Sequence, residues 1–335
     1  MKKEILLAIV GGCLLGLVIG FGLWRLNIAF SKSKEAQKTN STESKQNGDF
    51  LIELAKISDN DVFYENPVVF SGITKPNSKI IISSESKDYF SQSDNKGSFE
   101  KEIELDSGVN QIILTAFDLE GKKVEKKILL IYSSQFAKYI NQNPQDQNEN
   151  ATSSTRGKVM QKVNEASYSP KAYLGTVTDI TDNTIQIKTQ EGSIEQISTS
   201  KEETSVLKMG KTNKEVALTD LAIGDFIVAM GFKNGNNVLN TKRILVTTPP
   251  SSPTRETNLL KVTKINKKDF EANKINNNET FKITPNSSTN IYLVSEGKEQ
   301  KAKFSNLEVD HLVLITGEFS SSPLNPRSLF ILKEE

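Results

Sequence analysis

The feature that most restricts how this chain can fold is an uninterrupted apolar run, Ile5–Trp24, close to its start. A helix rises about 1.5 Å per residue, so about 20 apolar residues span a hydrocarbon core about 30 Å thick. Core helices of globular proteins are rarely apolar on every side over such a length. No clear small-residue cleavage site follows the run. We therefore expect an uncleaved transmembrane signal anchor.

Two further features of this run concern pairing and orientation. Gly12, Gly16 and Gly20 repeat at every fourth position, a spacing that lets two membrane helices approach closely. This spacing predicts a weak homodimer through the glycine-rich face, although glycine is also simply common in membrane helices. The two lysines before the run favour a cytoplasmic start, while Arg25 and later cations compete. Because a very short tail before the first span is usual for a signal anchor, we expect the rest of the chain outside the cytoplasm.

The composition excludes several function classes. The chain has one Cys and one His, which leaves no disulfide framework, no Cys-rich zinc site and no His–His metal pair. A net charge of +1 provides no basic field for nucleic acid. The sequence contains no Gly-rich phosphate loop, nucleophile elbow or HExxH motif. The prediction is a protein that is not an enzyme, with no cofactor, no metal and no catalytic, cofactor-binding or metal-ligating residue.

The residues after the first polar stretch alternate in the manner of β-strands. In Ser98–Leu105, the apolar residues Phe99, Ile103 and Leu105 share one face, and the glutamates at 100, 102 and 104 share the other. Turn sequences such as Asp94–Gly97 and Asp106–Gly108 separate this run from its neighbours. About seven short strands in about 85 residues are typical of an immunoglobulin-like sandwich.

A resemblance supports that interpretation. The segments Glu65–Ser78, Lys96–Phe99, Leu105–Asn110 and Ala116–Asp118 are similar to the bacterial Ig-like modules of exported proteins, including the sandwich appended to glucodextranase. The similarity covers nearly all of residues 50–132. It implies an Ig-like fold, but such modules serve as spacers, adhesins and glycan binders, so it does not select one function.

The second half of the chain contains an internal repeat. Leu174–Ile180 aligns with Leu259–Ile265, and Leu218–Gly231 aligns with Phe304–Gly317, at offsets of 85 and 86 residues. Both copies resemble a small β-barrel domain of unknown function found in exported bacterial proteins, with OB-like character. The second copy departs from the first where it has Asp310-His311. We therefore expect two tandem OB-like barrels.

These observations predict an all-β fold class behind one N-terminal transmembrane helix. The expected order is a transmembrane signal anchor at 1–30, a disordered tether at 31–49, an Ig-like β-sandwich at 50–135, a disordered linker at 136–170, a first barrel repeat at 171–246, a Pro-rich spacer at 247–257 and a second barrel repeat at 258–335.

Two features of the sequence bear on a possible binding role. Asp59, Asp61, Asp94 and Asp118 could meet at one end of the sandwich and bind calcium through oxygen ligands, although aspartate is also the ordinary turn residue. The lone His311 has no nucleophile or carboxylate at a motif spacing, so we interpret it as a solvated or edge residue.

The function expected from the sequence is that of a membrane-anchored extracytoplasmic protein of the bacterial cell envelope, with a structural, adhesive or scaffolding role. Its expected partners are the membrane and an envelope protein or cell-wall glycan, not nucleic acid. The alternative is a glycan-binding accessory protein that works with a separate envelope hydrolase. Tyr64, Tyr89 and Phe90 are the candidate aromatic platforms for that alternative.

Overall fold

A computed structural model describes residues 50–140, 169–234, 236, 238–275, 279–320 and 322–333. The predicted anchor, the first tether and most of the predicted linker lie outside these residues. In the described part of the chain, no helix has the length and hydropathy needed to cross a membrane. Strands dominate and the one α-helix is short, so the all-β class predicted for the described residues is confirmed.

The first module is a β-sandwich of eight strands that lie in two facing sheets. Its strands are β1 (Glu53–Leu54), β2 (Asp61–Phe63), β3 (Val68–Ile73), β4 (Lys79–Ser83), β5 (Asp88–Gln92), β6 (Ser98–Ile103), β7 (Gly108–Phe117) and β8 (Lys123–Tyr132). One sheet has the order β1-β3-β6, and the facing strands have the order β2-β8-β7-β4-β5. A 3-10 turn (Ser134–Phe136) and the helix α1 (Ala137–Ile140) follow.

The alternating sequence pattern builds the core of the sandwich. In β6, Phe99 and Ile103 are buried, whereas Glu100 and Glu102 are exposed on the opposite face. The inward residues of both sheets form one apolar cluster, in which Phe70 has no exposed surface. Strand pairs with one polar and one apolar face bury the apolar face, which is the main driving force for this packing.

The second module contains seven strands: β9 (Lys171–Ile180), β10 (Thr184–Lys188), β11 (Ile194–Ser198), β12 (Ser205–Lys208), β13 (Lys214–Val216), β14 (Phe226–Lys233) and β15 (Leu239–Thr247). A 3-10 turn, Leu218–Asp220, precedes β14. Strands β9, β10, β11, β15 and β14 are hydrogen-bonded in a closed circuit around one apolar cluster. The hairpin β12–β13 joins this circuit by the parallel pairing of β12 with β15.

The third module repeats this arrangement. Its strands are β16 (Glu256–Ile265), β17 (Phe270–Lys274), β18 (Thr280–Ile283), β19 (Asn290–Ser295), β20 (Lys298–Lys301), β21 (Leu312–Gly317) and β22 (Pro326–Leu332), with a 3-10 turn at Phe304–Asn306. The order is β18-β17-β16-β21-β22-β19-β20. The parallel bridge between Ile283 and Leu324 corresponds to the pairing of β11 with β15 in the second module. The hairpin β19–β20 corresponds to β12–β13.

The prediction of two tandem OB-like barrels is corrected by the structure. Asp61 of the sandwich pairs with Lys171 of the second module, so strands of both modules belong to one 12-stranded sheet. The third module forms a separate 7-stranded sheet. Each repeat also carries a hairpin that a five-stranded barrel does not include. The periodicity of the sequence did not show these additions, because pairing between modules depends on contacts between residues that are distant in sequence.

Candidate functional site

The two repeats cover the same outer face of the sandwich, at two places. Phe90 of the sandwich lies against Phe330 of the third module, with ring centroids 6.2 Å apart, and Tyr292 stacks on Phe330 at 5.0 Å. These rings belong to an apolar cluster shared by the sandwich and the third module. Because burial of aromatic rings contributes strongly to interface stability, this contact joins the two modules firmly.

Arg327, on β22, is the central polar contact at this joint. Its Nε donates to Asp88 Oδ2 at 3.0 Å, and its Nη2 donates to Asp88 Oδ1, so the two side chains form a two-point ion pair. The Asp88 side chain has no exposed surface. Arg327 also donates to the carbonyl oxygens of Glu85 and Ser84, at 2.9 and 3.0 Å. The guanidinium group therefore holds the turn between β4 and β5 by several directed bonds.

Arg255 holds the same turn from the other side. Its Nε donates to Ser83 Oγ at 3.0 Å, its Nη1 faces Glu85 Oε2 at 3.4 Å, and its Nη2 donates to the carbonyl oxygen of Gln111. Burial lowers the pKa of Arg255, and the charge of Glu85 opposes that shift. The residue remains a cation, because an arginine pKa lies far above physiological pH.

Glu299, on β20, covers an open edge of the sandwich. Its Oε2 accepts the backbone N–H of Phe90 at 2.9 Å, and its Oε1 accepts Lys101 Nζ at 3.0 Å. A free strand edge presents unpaired N–H groups that can pair with another chain. The carboxylate therefore blocks this edge of β5 while it attaches the third module to the sandwich.

A cleft of about 980 Å³ opens beside the two arginines, between the sandwich, the loop 250–255 and the third module. Half of the residues that line it carry neutral amides or hydroxyls, including Gln111, Asn290 and Asn325, and the carboxylates of Glu85 and Glu318 also line it. Gln111 Nε2 also donates to the carbonyl oxygen of Ser251 at 2.7 Å, which fastens the loop to β7. Such a lining can bind neutral polar groups, while the N–H groups of the two arginines are engaged by the sandwich.

The second module joins the sandwich through another apolar cluster. Phe136, just before α1, lies 5.8 Å from Phe232 between ring centroids, and Tyr139 of α1 donates from its hydroxyl to Ser205 Oγ at 3.0 Å. Arg243 is buried at this joint, with 2% of its surface exposed. Its Nη1 donates to Ser205 Oγ at 3.3 Å, and its Nε has no hydrogen-bond partner among the described residues.

The four aspartates considered for calcium serve the backbone and lysines. Asp59 accepts the N–H of Leu129 at 2.7 Å, and Asp61 pairs with Lys171. Asp94 and Asp118 accept N–H groups of their own turns. In the described ranges, no three His, Cys, Asp or Glu side chains are grouped as metal ligands would be.

Asp118 is the most strongly engaged of the four. Its Oδ2 accepts Lys75 Nζ at 2.8 Å, and its Oδ1 accepts the N–H of Lys122 at 2.8 Å and of Glu120 at 3.1 Å. Burial alone would raise the pKa of Asp118, but the bond from Lys75 and the turn N–H groups outweigh burial and lower it. The carboxylate therefore stabilises the turn as an anion.

The aromatic residues proposed as sugar platforms do not form one. Tyr89 and Phe90 are buried, with 4% and 1% of their surface exposed, and Tyr64 is half-buried against the cluster shared with the second module. Every Phe and Tyr among the described residues is buried or half-buried. Burial raises the pKa of Tyr89, whose hydroxyl accepts the N–H of Glu104 at 2.9 Å.

His311 has a local structural contact. Its Nδ1 accepts the N–H of Glu308 at 3.1 Å. At the aligned position of the first repeat, Asp225 Oδ2 accepts the N–H of Ala222 at 3.0 Å. The imidazole and the carboxylate therefore close equivalent turns, and the substitution between the repeats preserves an acceptor rather than creating a reactive group.

The residues that organise the joint were missed by sequence reasoning. Arg255 lies in the segment predicted as a Pro-rich spacer, and Arg327 and Glu299 lie in the predicted second barrel. One signal was available, since the chain has only five arginines among 42 basic residues. Arginine binds carboxylates through a planar fork that lysine lacks, so a rare arginine in a lysine-rich chain indicates a directed contact.

No family model matches the chain. No curated protein matches it either.

Proposed function

We propose that the chain is a non-catalytic structural or scaffolding protein of the bacterial cell envelope, anchored by Ile5–Trp24 with its β-modules outside the cytoplasm. The observation that carries this proposal is the joining of the sandwich to both repeats through buried apolar clusters. Modules connected only by tethers would not need such contacts. Three modules packed in this way present surfaces at fixed relative positions, which is the property a scaffold requires.

The buried charges support the same role. Arg327, Arg255 and Glu299 use their polar atoms to fasten one module to another. A catalytic group, in contrast, needs a reactive atom that faces a substrate. We also infer that residues 50–132 form an Ig-like sandwich, in agreement with the resemblance of that segment, and Ig-like modules commonly serve as spacers.

A glycan-binding accessory role is the second candidate. The neutral amide and hydroxyl groups of the cleft, among them Asn290 and Asn325, favour it, whereas the burial of Tyr89 and Phe90 removes its aromatic platform. Calorimetric titration of the full chain with soluble cell-wall fragments tests this candidate. Binding that is lost in the Asn290→Ala/Asn325→Ala variant would favour it over a purely structural role.

Protease shaving of intact cells tests the main proposal. Antibodies against the sandwich and against the third module report whether each is degraded without lysis. We expect both modules to be digested in intact cells and a cytoplasmic marker to survive. Protection of both modules, with digestion after lysis, would place them in the cytoplasm and overturn the envelope assignment.

A further inference from the structure

The outer face of the three-stranded sheet is the face of the sandwich that neither repeat covers. Both joints use the other sheet, whose outward residues are buried in the clusters shared with the repeats. The uncovered face carries three exposed aliphatic side chains: Leu51, Val69 and Ile73 are exposed to 49, 45 and 51%. Isolated exposed aliphatic residues are common, but three on one small face indicate a contact surface.

Strand register places these side chains in one row. Val69 and Ile73 point outward from the same strand, β3, with Ser71 between them. Glu53 is opposite Ile73, so Leu51, two residues earlier, lies diagonally next to Ile73 on the same face. Diagonal neighbours of this kind are about 7–8 Å apart, whereas Val69 and Ile73, four residues apart on one strand, are separated by about 13 Å. The three side chains therefore form an apolar stripe in the order Leu51, Ile73 and Val69, with Ser71 between the last two.

Glutamates border this stripe on both sides. Glu53 lies on β1 opposite Ile73, while Glu102 lies on β6 opposite Val69 and Glu100 opposite Ser71. All three are exposed, and none makes an ion pair with another described residue. Lys101, which lies on β6 between Glu100 and Glu102, is directed to the other face, where it forms an ion pair with Glu299. The stripe is thus flanked by two carboxylates from β6 on one side and by one carboxylate from β1 on the other.

We propose that this stripe is the docking site for a basic amphipathic helix of a partner protein. Adjacent strands are about 4.8 Å apart, so Glu53 on β1 and the two glutamates of β6 lie on strands about 10 Å apart. This separation matches the diameter of a helix, about 10–12 Å. A helix that lays leucine or isoleucine side chains along the stripe would place flanking lysines beside the carboxylates, since lysine stems lie along apolar surface while their ammonium groups remain in water.

Charge decides between this occupant and a membrane surface. Anionic lipids would be repelled by Glu53, Glu100 and Glu102, whereas a lysine-flanked helix is attracted by them. This proposal rests on the proposed scaffolding function, because it specifies the chemistry of a partner that the scaffold would bind. The binding test below does not depend on where the protein resides, so its failure and a failure of the envelope assignment are distinguishable.

The test uses the full chain in phosphatidylcholine nanodiscs and a fluorescent 14-residue helical peptide with a leucine stripe flanked by lysines. We expect saturable binding, measured by anisotropy, beyond that to empty nanodiscs. Val69→Thr/Ile73→Thr should weaken binding about tenfold. Glu100→Gln/Glu102→Gln should weaken it by a similar factor and reduce its salt dependence. Ile194→Thr and Glu202→Gln, at exposed sites of the second module, are the matched controls and should not change binding.

A charge reversal keeps the test decisive if a variant is merely less stable. The Glu100→Lys/Glu102→Lys variant should lose its affinity for the lysine peptide. It should gain affinity for the same peptide with glutamates in place of lysines. An unchanged circular dichroism spectrum would show that the variant is folded. A gain of binding to the glutamate peptide would then come from the reversed charges. The proposal is overturned if wild-type protein binds both peptides equally, if binding does not exceed that of empty nanodiscs, or if the stripe variants bind like the controls.

Discussion

Arg327 of the third module forms a two-point ion pair with Asp88 of the sandwich, although the two residues are 239 positions apart in the sequence. The Asp88 side chain is fully buried, and both of its oxygen atoms accept bonds from Arg327, while Arg255 adds a longer-range attraction. The two modules also share an apolar cluster, and the ion pair adds directed bonds to it, as Arg255 and Glu299 do.

Removal of Arg327 should destabilise the joint strongly. We expect Arg327→Met to lower the free energy of unfolding by about 3–5 kcal/mol, because it leaves the Asp88 carboxylate buried without a partner. Chemical denaturation followed by circular dichroism measures the change. Asp88→Asn/Arg327→Met should recover part of the loss, and Arg327→Lys should lie between the single variant and the wild type. A change below about 1 kcal/mol for Arg327→Met would contradict the assigned role.

Local patterns in the sequence predicted the strands well. In β6, the alternation of Phe99 and Ile103 with Glu100 and Glu102 correctly gave both the extended structure and the buried face. The offset of the repeat correctly paired Asp225 with His311, which close equivalent turns. These features are encoded within a few residues, so period and turn chemistry are sufficient to find them.

The joints between modules could not be found in this way. Arg327 and Asp88, or Glu299 and Phe90, belong to segments that are far apart in sequence and share no pattern. Their contact depends on how two complete modules pack. Tyr89 and Phe90 illustrate the consequence, since a pair of aromatics that seemed available for sugar binding is buried by the sandwich core and the third module.

Asp118 should make the stability of the sandwich depend on pH. Its folded pKa is lowered, so its contribution is present above the unfolded value, about 3.9, and is lost as the pH falls through the folded value. We expect wild type to be more stable than Asp118→Asn near pH 7 and this difference to shrink below about pH 4. Denaturation curves between acidic and neutral pH measure it. A difference that is constant across this range would show that ionisation of Asp118 is not the cause.

Substitution of Gly231 should lower the stability of the protein, because strands β14 and β15 approach each other closely at this residue. A Cβ atom there would lie 2.0 Å from the carbonyl oxygen of Asn240 and 2.9 Å from Thr241 Cα. Backbone atoms cannot move aside as a flexible side chain can, so Gly231→Ala should cost about 1–3 kcal/mol of unfolding free energy. Gly210→Ala is the matched control, since a Cβ atom there would lie 3.8 Å from the carbonyl oxygen of Thr212, an ordinary contact, and it should leave stability nearly unchanged. Equal stability of the two variants would contradict the close contact.

Arg243 leads to the opposite prediction from Arg327, although both are arginines at a joint between modules. Arg243 is 2% exposed, its Nε has no hydrogen-bond partner, and no carboxylate among the described residues forms an ion pair with it. Burial lowers the pKa of its guanidinium group, and the interactions with Tyr139 and Glu215 oppose that shift. The charge is nevertheless retained, so the folded state bears a desolvation penalty that no ion pair offsets.

Replacement by an apolar side chain of similar length removes this penalty. We expect Arg243→Met to raise the free energy of unfolding by about 1 kcal/mol or more, since it packs against the surrounding apolar cluster and leaves the bond between Tyr139 and Ser205 in place. Lys208→Met, at an exposed position of the adjacent strand β12, should change it by less than about 0.5 kcal/mol. If Arg243→Met instead destabilised the protein as much as Arg327→Met, Arg243 would have to be as well compensated as Arg327, which is inconsistent with its single bond to Ser205.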